Sequence, residues 1–299
     1  MNDLVQLEVT RAPARRPEWL KVRVPGGDNY FELKRLIRGF ELHTVCESAR
    51  CPNIGECWQH RTATFMILGN LCTRRCGFCA VPKGKPAGRV DWEEPERVAE
   101  AAARMGLKYV VVTSVDRDDL ADGGATIFAL TIRALRERIP ACRVEVLIPD
   151  FRGSDAALET VLAARPDILN HNIETVRRLY PVARRGSIYE RSLGLLRHCR
   201  QMAPEIPTKS GLMVGLGETF EEVCALLADL AAAGVDIVTI GQYLRPSGEQ
   251  LPVARFWTPD EFAALKRQGE CLGIRHVESG PLVRSSYHAH QQSQTALSH

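Results

Sequence analysis

The stretch TFMILGNLCTRRCGFC, residues 64–79, joins a short apolar run to three closely spaced cysteines. Residues 64–68 have the length and apolar character of a buried strand, bounded by the turn residues that follow. Cys72, Cys76 and Cys79 come directly after this turn. In sheets of parallel strands, ligands gather at the carboxyl ends of the strands. The spacing therefore predicts that these three thiols lie at a functional edge.

From about residue 62 onward, short apolar runs alternate with segments of helical spacing, which is typical of β-α repeats and a parallel sheet. Six strands are predicted, at residues 64–68, 109–113, 144–148, 168–171, 210–214 and 237–240. Six helices are predicted, at residues 95–105, 125–138, 155–164, 192–202, 219–233 and 259–272. We therefore expect an α/β fold, a partial (β/α)6 TIM-type barrel over residues 62–272, between extensions at 1–61 and 273–299. Periodicity alone leaves an open doubly wound sheet as the alternative.

The composition of the 299 residues is that of a soluble globular protein, with 45% hydrophobic and 25% charged residues. No apolar run approaches the roughly 20 residues that cross a bilayer, so we expect no membrane segment. The net charge of +3 gives no basis for nucleic-acid binding. Residues 1–20 mix acidic and basic side chains without an apolar core, so no targeting peptide is indicated and the cytoplasm is expected.

Six of the ten cysteines form two triplets, Cys46-x4-Cys51-x5-Cys57 and Cys72-x3-Cys76-x2-Cys79. In a reducing compartment, clustered cysteines are metal ligands or redox groups more often than disulfides. Structural zinc sites and most iron–sulfur clusters take four protein ligands, so a triplet indicates an iron with an open position or a fourth ligand from elsewhere. A zinc site completed by His60 or His43 is an alternative. The remaining cysteines lie singly in helical or strand patterns and are expected to be buried packing residues: Cys142, Cys199, Cys224 and Cys271.

The second triplet, with Phe78 before its last cysteine, resembles the signature of the radical S-adenosylmethionine (SAM) superfamily. The first triplet, in its setting CESARCPNIGECW (residues 46–58), is similar to the lipoyl synthase family of that superfamily. Four further motifs share this similarity: residues 113–120 (TSVDRDDL), 209–219 (KSGLMVGLGET), 241–244 (GQYL) and 284–287 (RSSY). The resemblance runs from about residue 17 to residue 290 and implies the same partial barrel.

The resemblance implies an enzyme with two [4Fe-4S] clusters. Cys72, Cys76 and Cys79 would hold the first, whose fourth iron binds SAM and yields a 5′-deoxyadenosyl radical. Cys46, Cys51 and Cys57 would hold an auxiliary cluster, closed by a serine oxygen of the RSSY motif; we choose Ser286, with Ser285 as the alternative. The family inserts two sulfur atoms from this cluster, at C6 and C8, into a protein-bound octanoyl-lysine and consumes two SAM molecules per lipoyl group.

Residues 170–175 (NHNIET) end the fourth predicted strand and are similar to a segment of biotin synthase that holds the ribose of SAM. We assign ribose contacts to Asn172 and Glu174, with a helix cap as the alternative interpretation. Arg184 and Arg185 follow, and we choose Arg185 for the methionyl carboxylate, with a solvated basic pair as the alternative. His171 is interpreted as a structural residue. Residues 116–119 form a charged loop for which solvation is the simplest interpretation.

The implied partners are octanoylated lipoyl carrier domains, namely 2-oxoacid dehydrogenase E2 subunits and the glycine cleavage H protein, and a ferredoxin- or flavodoxin-type electron donor. Lys83, Lys85 and Arg89 could contact an acidic carrier, or be solvated loop charges. Other sulfur-inserting radical SAM enzymes, such as a biotin-synthase-like enzyme or a methylthiotransferase, are the nearest alternative functions. A non-enzymatic two-cluster electron carrier is the alternative from another class.

Overall fold

Eight strands form one sheet in the computed structural model, which describes residues 16–22, 25–59, 63–287 and 289. The strands lie side by side in chain order. They are β1 His43–Thr44, β2 Thr64–Ile67, β3 Tyr109–Ser114, β4 Arg143–Leu147, β5 Ile168–Asn170, β6 Thr208–Val214, β7 Ile237–Gln242 and β8 His276–Gly280. β1 pairs antiparallel with β2, and all later neighbours are parallel. No pairing between β1 and β8 closes the sheet within the described residues, so the barrel is partial.

Between successive parallel strands the chain forms helices, and three further helices precede β2. They are α1 Asp28–Gly39, α2 Val45–Ser48, α3 Ile54–Gln59, α4 Glu94–Arg104, α5 Ala125–Arg138, α6 Asp155–Ala163, α7 Tyr180–Ala183, α8 Tyr189–Met202, α9 Phe220–Ala232 and α10 Pro259–Cys271. Capping boxes begin α9 at Thr219 and α10 at Thr258, where each threonine oxygen accepts from the backbone N–H of the N3 glutamate. In the part of the chain that the structure describes, no helix has the length and apolar character needed to cross a bilayer.

The six predicted strands and six predicted helices are all present, so the predicted α/β partial barrel is confirmed. Two strands were not predicted. β1 has only two residues, and β8 alternates polar side chains around the single fully buried Val277. β1 lies in the predicted N-terminal extension and β8 in the predicted C-terminal extension, and both join the same sheet as the barrel strands. The predicted domain boundaries at residues 61 and 272 stay a prediction.

Inward-facing side chains form two layers along the strands, because residues two apart on a strand share a face. The lower layer is polar and buried, and the Glu145 carboxylate is its centre. Glu145 accepts hydrogen bonds from the Tyr109 hydroxyl at 2.6 Å and Asn170 Nδ2 at 2.9 Å, and pairs with Lys209 Nζ at 3.0 Å. The next inward positions, Leu147 and Gly211 among them, line a cavity at the carboxyl edge of the sheet.

The turn after β2 places the second cysteine triplet at this edge. Leu68 and Gly69 both have left-handed backbone angles, with φ of 67° and 80°. The buried Glu94 carboxylate of α4 accepts from the Leu68 N–H at 2.7 Å, which fixes the turn. Burial raises the pKa of Glu94 above its usual value, against the backbone hydrogen bonds that lower it. The chain therefore leaves β2 through a fixed turn into the cysteine loop.

Candidate active site

Both cysteine triplets reach one cavity at the carboxyl edge of the sheet. The cavity has a volume of about 480 Å³. Its wall includes five of the six predicted cluster cysteines, together with both serines of the RSSY motif: Cys46, Cys51, Cys72, Cys76, Cys79, Ser285 and Ser286. The predicted ribose contacts, Asn172 and Glu174, also line it. Segments far apart in the sequence thus meet at one chemical site.

The loop of the second triplet is held by its backbone. The Cys72 N–H donates to Pro82 O at 2.9 Å, and the Gly84 N–H donates to Cys72 O at 3.0 Å. On the other side, the Gly77 N–H donates to Ala183 O at 2.8 Å. A Cβ at Gly77 would lie 3.0 Å from Val182 O, so the close approach of two loops favours glycine here.

Arg74, between Cys72 and Cys76, anchors this loop from below. Its side chain is buried, and it donates to both oxygens of Asp118 at 2.8 Å and to Asp150 at 2.5 Å. A third carboxylate, that of Asp116, lies 3.3 Å away. Burial alone would raise the pKa of Asp150, but the hydrogen bond and charge of Arg74 lower it to about 2. Arg74 therefore ties the cysteine loop to the loops after β3 and β4.

This ion cluster corrects the interpretation of residues 116–119 as a solvated loop. Asp116 and Asp118 face Arg74, while Arg117 is buried and pairs with Asp119 at 2.8 Å. The Thr73 N–H and hydroxyl both bond to Asp116 O, at 3.0 and 2.9 Å. Sequence reasoning missed the contacts of Arg74 and Thr73 because they join residues more than 40 positions apart, and an aspartate-rich loop has the composition of a solvated one.

The three thiols of the second triplet are free and partly buried. Burial, followed by the nearby charge of Asp116, raises the pKa of Cys72 to about 11 and that of Cys76 to about 12. The charge of Cys79 contributes to both shifts, so the three sulfur atoms are near one another. A metal-bound thiol is deprotonated outright. The site therefore offers protonated thiols until a metal centre binds.

The first triplet spans two short helices. Cys46 lies in α2, whose N-cap Thr44 accepts from the Glu47 N–H at 3.3 Å, and Cys57 lies in α3. The Cys51 N–H donates to Cys46 O at 3.0 Å. Burial raises the pKa of Cys46 and of Cys57 to about 12, with a further rise from the neighbouring cysteines of the triplet. Cys57 thus belongs to the same cluster of thiols, although it does not line the cavity.

A buried indole tests whether the first triplet suits an iron–sulfur cluster. Trp58 is fully buried, and its Nε1 has no nitrogen or oxygen partner among the described residues. Its N–H lowers the pKa of the Cys46 thiol, against the larger opposite effect of burial, so the indole is near this thiol although no hydrogen bond joins them. Hydrogen bonds to the sulfurs of iron–sulfur clusters are common and tune their potentials. A buried N–H that lacks a partner beside this thiol therefore fits a site in which a cluster sulfur would accept from it.

A single metal ion fits less well than a cluster. No three His, Cys, Asp or Glu side chains within the described ranges converge tightly enough to bind one ion. In a [4Fe-4S] cluster each thiolate binds a different iron, which needs a wider spacing. His43, one predicted zinc ligand, is not on the cavity wall, and His60 lies outside the described residues.

The segment after β8 enters the barrel through a gap left by two glycines. A Cβ on Gly211 of β6 would lie 2.8 Å from Ser285 Oγ, and one on Gly241 of β7 would lie 2.0 Å from Val283 O. Asn172 Nδ2 donates to Ser285 Oγ at 2.8 Å. The Ser286 hydroxyl has no hydrogen-bond partner within the described part of the chain. Both serines reach the cavity, but only Ser285 is engaged by Asn172.

The segment after β5 presents the predicted SAM contacts. Glu174 has a left-handed φ of 68°, and its N–H donates to Gly211 O at 2.9 Å. Strained backbone of this kind is concentrated at functional sites. Burial raises the pKa of Glu174, while the charge of Arg184 and the hydrogen bond from Asn172 oppose the rise. The side chains of Asn172 and Glu174 lie together, with Asn172 Nδ2 3.1 Å from Glu174 Oε1.

The preference for Arg185 over Arg184 needs correction. Arg185 is exposed and lies off the cavity wall, whereas Arg184 is buried and lines the cavity. Arg184 Nη1 donates to Asn172 O at 2.6 Å and to the Tyr180 hydroxyl at 3.0 Å. Its Nε and Nη2 have no protein partner among the described residues, so they remain for a ligand. Nothing in the sequence distinguishes the two adjacent arginines.

Other predicted residues lie away from the cavity wall. His171 is fully buried with both ring nitrogens bonded, Nδ1 to Ile148 O at 2.8 Å and Nε2 to Ser192 Oγ at 3.0 Å, as expected of a structural histidine. Burial lowers its pKa to about 3.

The predicted loop charges Lys83, Lys85 and Arg89 are exposed. Cys142 and Cys199 are buried as predicted and Cys224 is half-buried, but the prediction was wrong for Cys271, which is exposed at the end of α10.

Comparisons with known proteins agree with this site. A family model described as the radical SAM superfamily matches residues 66–241, and one described as the N-terminal domain of lipoyl synthase matches residues 2–51. The chain is 60% identical over 292 residues to a lipoyl synthase of Koribacter versatilis, covering 97% of this chain and 96% of that protein. It is 61% identical over 281 residues to a lipoyl synthase of Rubrobacter xylanophilus, covering 94% and 87%.

Similar solved structures bear on the fold alone. A methylornithine synthase (PylB) matches with a TM-score of 0.55 at 16% identity, over 71% of this chain and 69% of that chain. HydG, a maturase of the [FeFe]-hydrogenase, matches with a TM-score of 0.53 at 14% identity, over 77% and 54%. At such low identity, these matches support the partial barrel and nothing about the chemistry in it.

Proposed function

The chain belongs to the lipoyl synthase family of the radical SAM superfamily, and from this premise we propose that it inserts two sulfur atoms into a protein-bound octanoyl-lysine, at C6 and C8. One observation carries the proposal: two separate cysteine triplets meet at one cavity. A chain that only made a radical would need one triplet. A second set of thiols beside the first suits a reaction in which a substrate carbon must reach a sulfur donor.

The six cysteines divide the work between two [4Fe-4S] clusters. Cys72, Cys76 and Cys79 would hold the cluster that binds SAM, and the first triplet would hold the auxiliary cluster. When bound, the clusters supply the electron for SAM cleavage and the inserted sulfur. The chain itself supplies the burial that excludes water and the loops that hold the two triplets at one cavity.

Ser286 is our choice for the fourth protein ligand of the auxiliary cluster, and its free hydroxyl supports it. Ser285 is held by Asn172 at 2.8 Å, which leaves Ser286 as the serine without a protein partner in the described part of the chain. An alkoxide is a harder ligand than a thiolate, which suits a cluster that is dismantled during the reaction. Arg284 lies close to Cys51, where its charge lowers the pKa of that thiol against burial.

Three residues after β5 would hold SAM. Asn172 and Glu174 would bind the ribose hydroxyls, since a carboxylate accepts well from a diol. Arg184 replaces Arg185 as our choice for the methionyl carboxylate, because its free Nε and Nη2 lie on the same wall as both groups. The hydrogen bond from Arg184 to Asn172 O holds the guanidinium group close to the residues that would bind the ribose.

The substrate would be an octanoylated lipoyl carrier domain, such as a 2-oxoacid dehydrogenase E2 subunit or the glycine cleavage H protein. A ferredoxin or flavodoxin would supply the electrons. The cytoplasm stays a prediction for the location.

The alternative function, a non-enzymatic electron carrier, is disfavoured. Such a carrier has no use for an open cavity beside its clusters, whereas a cavity of about 480 Å³ suits a small-molecule substrate.

Matched cysteine variants test the division of work. Cys76→Ala should abolish both 5′-deoxyadenosine and lipoyl product, because no open iron remains to bind SAM. Cys51→Ala should retain part of the 5′-deoxyadenosine but make no lipoyl product. Both products are measured by mass spectrometry after anaerobic turnover with an octanoyl-lysine peptide. Lipoyl product from Cys51→Ala, or 5′-deoxyadenosine from Cys76→Ala, would contradict the proposal.

A further inference from the structure

Three exposed arginines are part of the cavity wall. Arg16, Arg50 and Arg245 are exposed and lie among the cavity-lining residues. The other charged residues on this wall are buried or half-buried, and they include both of its carboxylates, Asp116 and Glu174. The solvent-facing charge of the cavity in the described structure is therefore positive. We call these three residues the arginine rim.

Two of the rim residues are fixed in place. Arg50 Nη1 donates to Pro246 O at 3.0 Å, which joins the loop after α2 to the loop after β7. Arg245 Nε donates to Gln250 O at 2.8 Å and its Nη2 bonds to Gly248 O. Backbone carbonyls orient these guanidinium groups without neutralising them. Arg50 and Arg245 thus lie on two loops, one from the N-terminal segment and one from the barrel.

The rim charges have no acidic partner nearby. Within the described ranges, none of the three arginines forms an ion pair. Glu249 is exposed in the same loop as Arg245 but does not line the cavity. Uncompensated charge of one sign around an opening raises the local concentration of oppositely charged partners.

We propose that the arginine rim is the docking surface for the carrier domain, and that it binds carboxylates on the surface around the octanoyl-lysine. This inference rests on the proposed function. A folded domain cannot enter a cavity of about 480 Å³, so only the acyl-lysine arm reaches the thiols. The domain must then rest on the opening, where the rim presents its free N–H groups. Guanidinium groups suit this role because they bind carboxylates in a fixed fork geometry.

The rim should act on recognition of the carrier and spare the chemistry. Charges at the edge of an interface mainly change the association rate and its salt dependence. A short neutral octanoyl-lysine peptide carries no surface carboxylates, so it should not sense the rim. The carrier domain should sense it strongly at low salt and weakly at high salt, because salt screens exposed charges.

The test compares two double variants on the full, cluster-loaded chain. Arg50→Glu with Arg245→Glu reverses the rim. Arg197→Glu with Arg267→Glu makes the same charge change on α8 and α10, at exposed arginines off the cavity wall. Calorimetry gives the Kd of an octanoylated E2 lipoyl domain at 20 and 300 mM salt, and the Kd of the neutral peptide is measured in the same way.

We expect the rim reversal to raise the carrier Kd by about tenfold or more at low salt, with a smaller change at high salt. The control should bind like wild type, and in the rim variant the Kd of the neutral peptide should change less than that of the carrier. A wild-type Kd for the rim variant, or an equal loss in the control, would overturn the inference. The proposed function fails separately, if the wild-type chain binds the carrier but makes no lipoyl product from it.

Discussion

Arg74 shows how one residue can set the geometry of a cysteine loop. It lies between two predicted cluster ligands, yet its guanidinium points away from solvent into three carboxylates. Its neighbour Arg75 is exposed. Nothing in the sequence RR distinguishes the two, since only the surrounding loops decide which arginine is buried. The sequence could therefore identify the loop but not the side chain that anchors it.

Replacing Arg74 should be costly. Arg74→Met would leave the fully buried Asp150 carboxylate without its partner at 2.5 Å. Breaking a buried ion pair from one side typically costs about 3–5 kcal/mol. We expect the free energy of unfolding in urea, measured anaerobically, to fall by that amount. Arg75→Met is the matched control, and it should change stability by less than about 0.5 kcal/mol. Equal stability of the two variants would show that the cluster of carboxylates does not depend on Arg74.

At the scale of elements, two glycines on neighbouring strands explain how the C-terminal segment reaches the site. Gly211 and Gly241 give the barrel wall a gap at the height of Asn172 and Ser285. The sequence predicted β6 and β7 correctly from their apolar runs. It could not predict the gap, because a glycine within a strand is compatible with a bulge, a bend or a close approach.

Filling this gap should displace the RSSY segment. In Gly241→Ala, the new Cβ would lie 2.0 Å from Val283 O. Either β7 or the segment after β8 must therefore move. Overpacking of this kind typically costs about 1–3 kcal/mol. Gly194→Ala is the control, because it lies within α8 with nothing within 4 Å of the added Cβ, and alanine there should stabilise by about 0.5–1 kcal/mol. Thermal or urea unfolding measures both. Similar shifts in the two variants would exclude the gap as a constraint.

The boundaries of most helices and strands were predictable to within a few residues, because the signals that set them lie in the neighbouring sequence. Each predicted strand is an apolar run, and α9 and α10 begin at threonines that form capping boxes. β8 could not be found this way, because its burial depends on β7 and α10 packing beside it. The same limit applies to Asp116 and Asp150, whose partner is supplied by another loop.

For the whole molecule, the sequence predicted the fold and the two sets of thiols, and the structure adds that they face one cavity. The cysteine spacings carry the resemblance on which that prediction depended. What the sequence could not supply is that the two triplets share one cavity, because the segments that carry them are brought together only by the folded sheet. The proposed sulfur insertion requires that both triplets hold a cluster at the same time.

Iron counting tests this claim most directly. The anaerobically reconstituted chain should hold about eight irons, and Mössbauer spectra should show two [4Fe-4S] clusters. Changing Cys46, Cys51 and Cys57 together to Ala should leave about four irons, as should changing Cys72, Cys76 and Cys79. Four irons in the unaltered chain, or zinc in place of iron, would contradict the account.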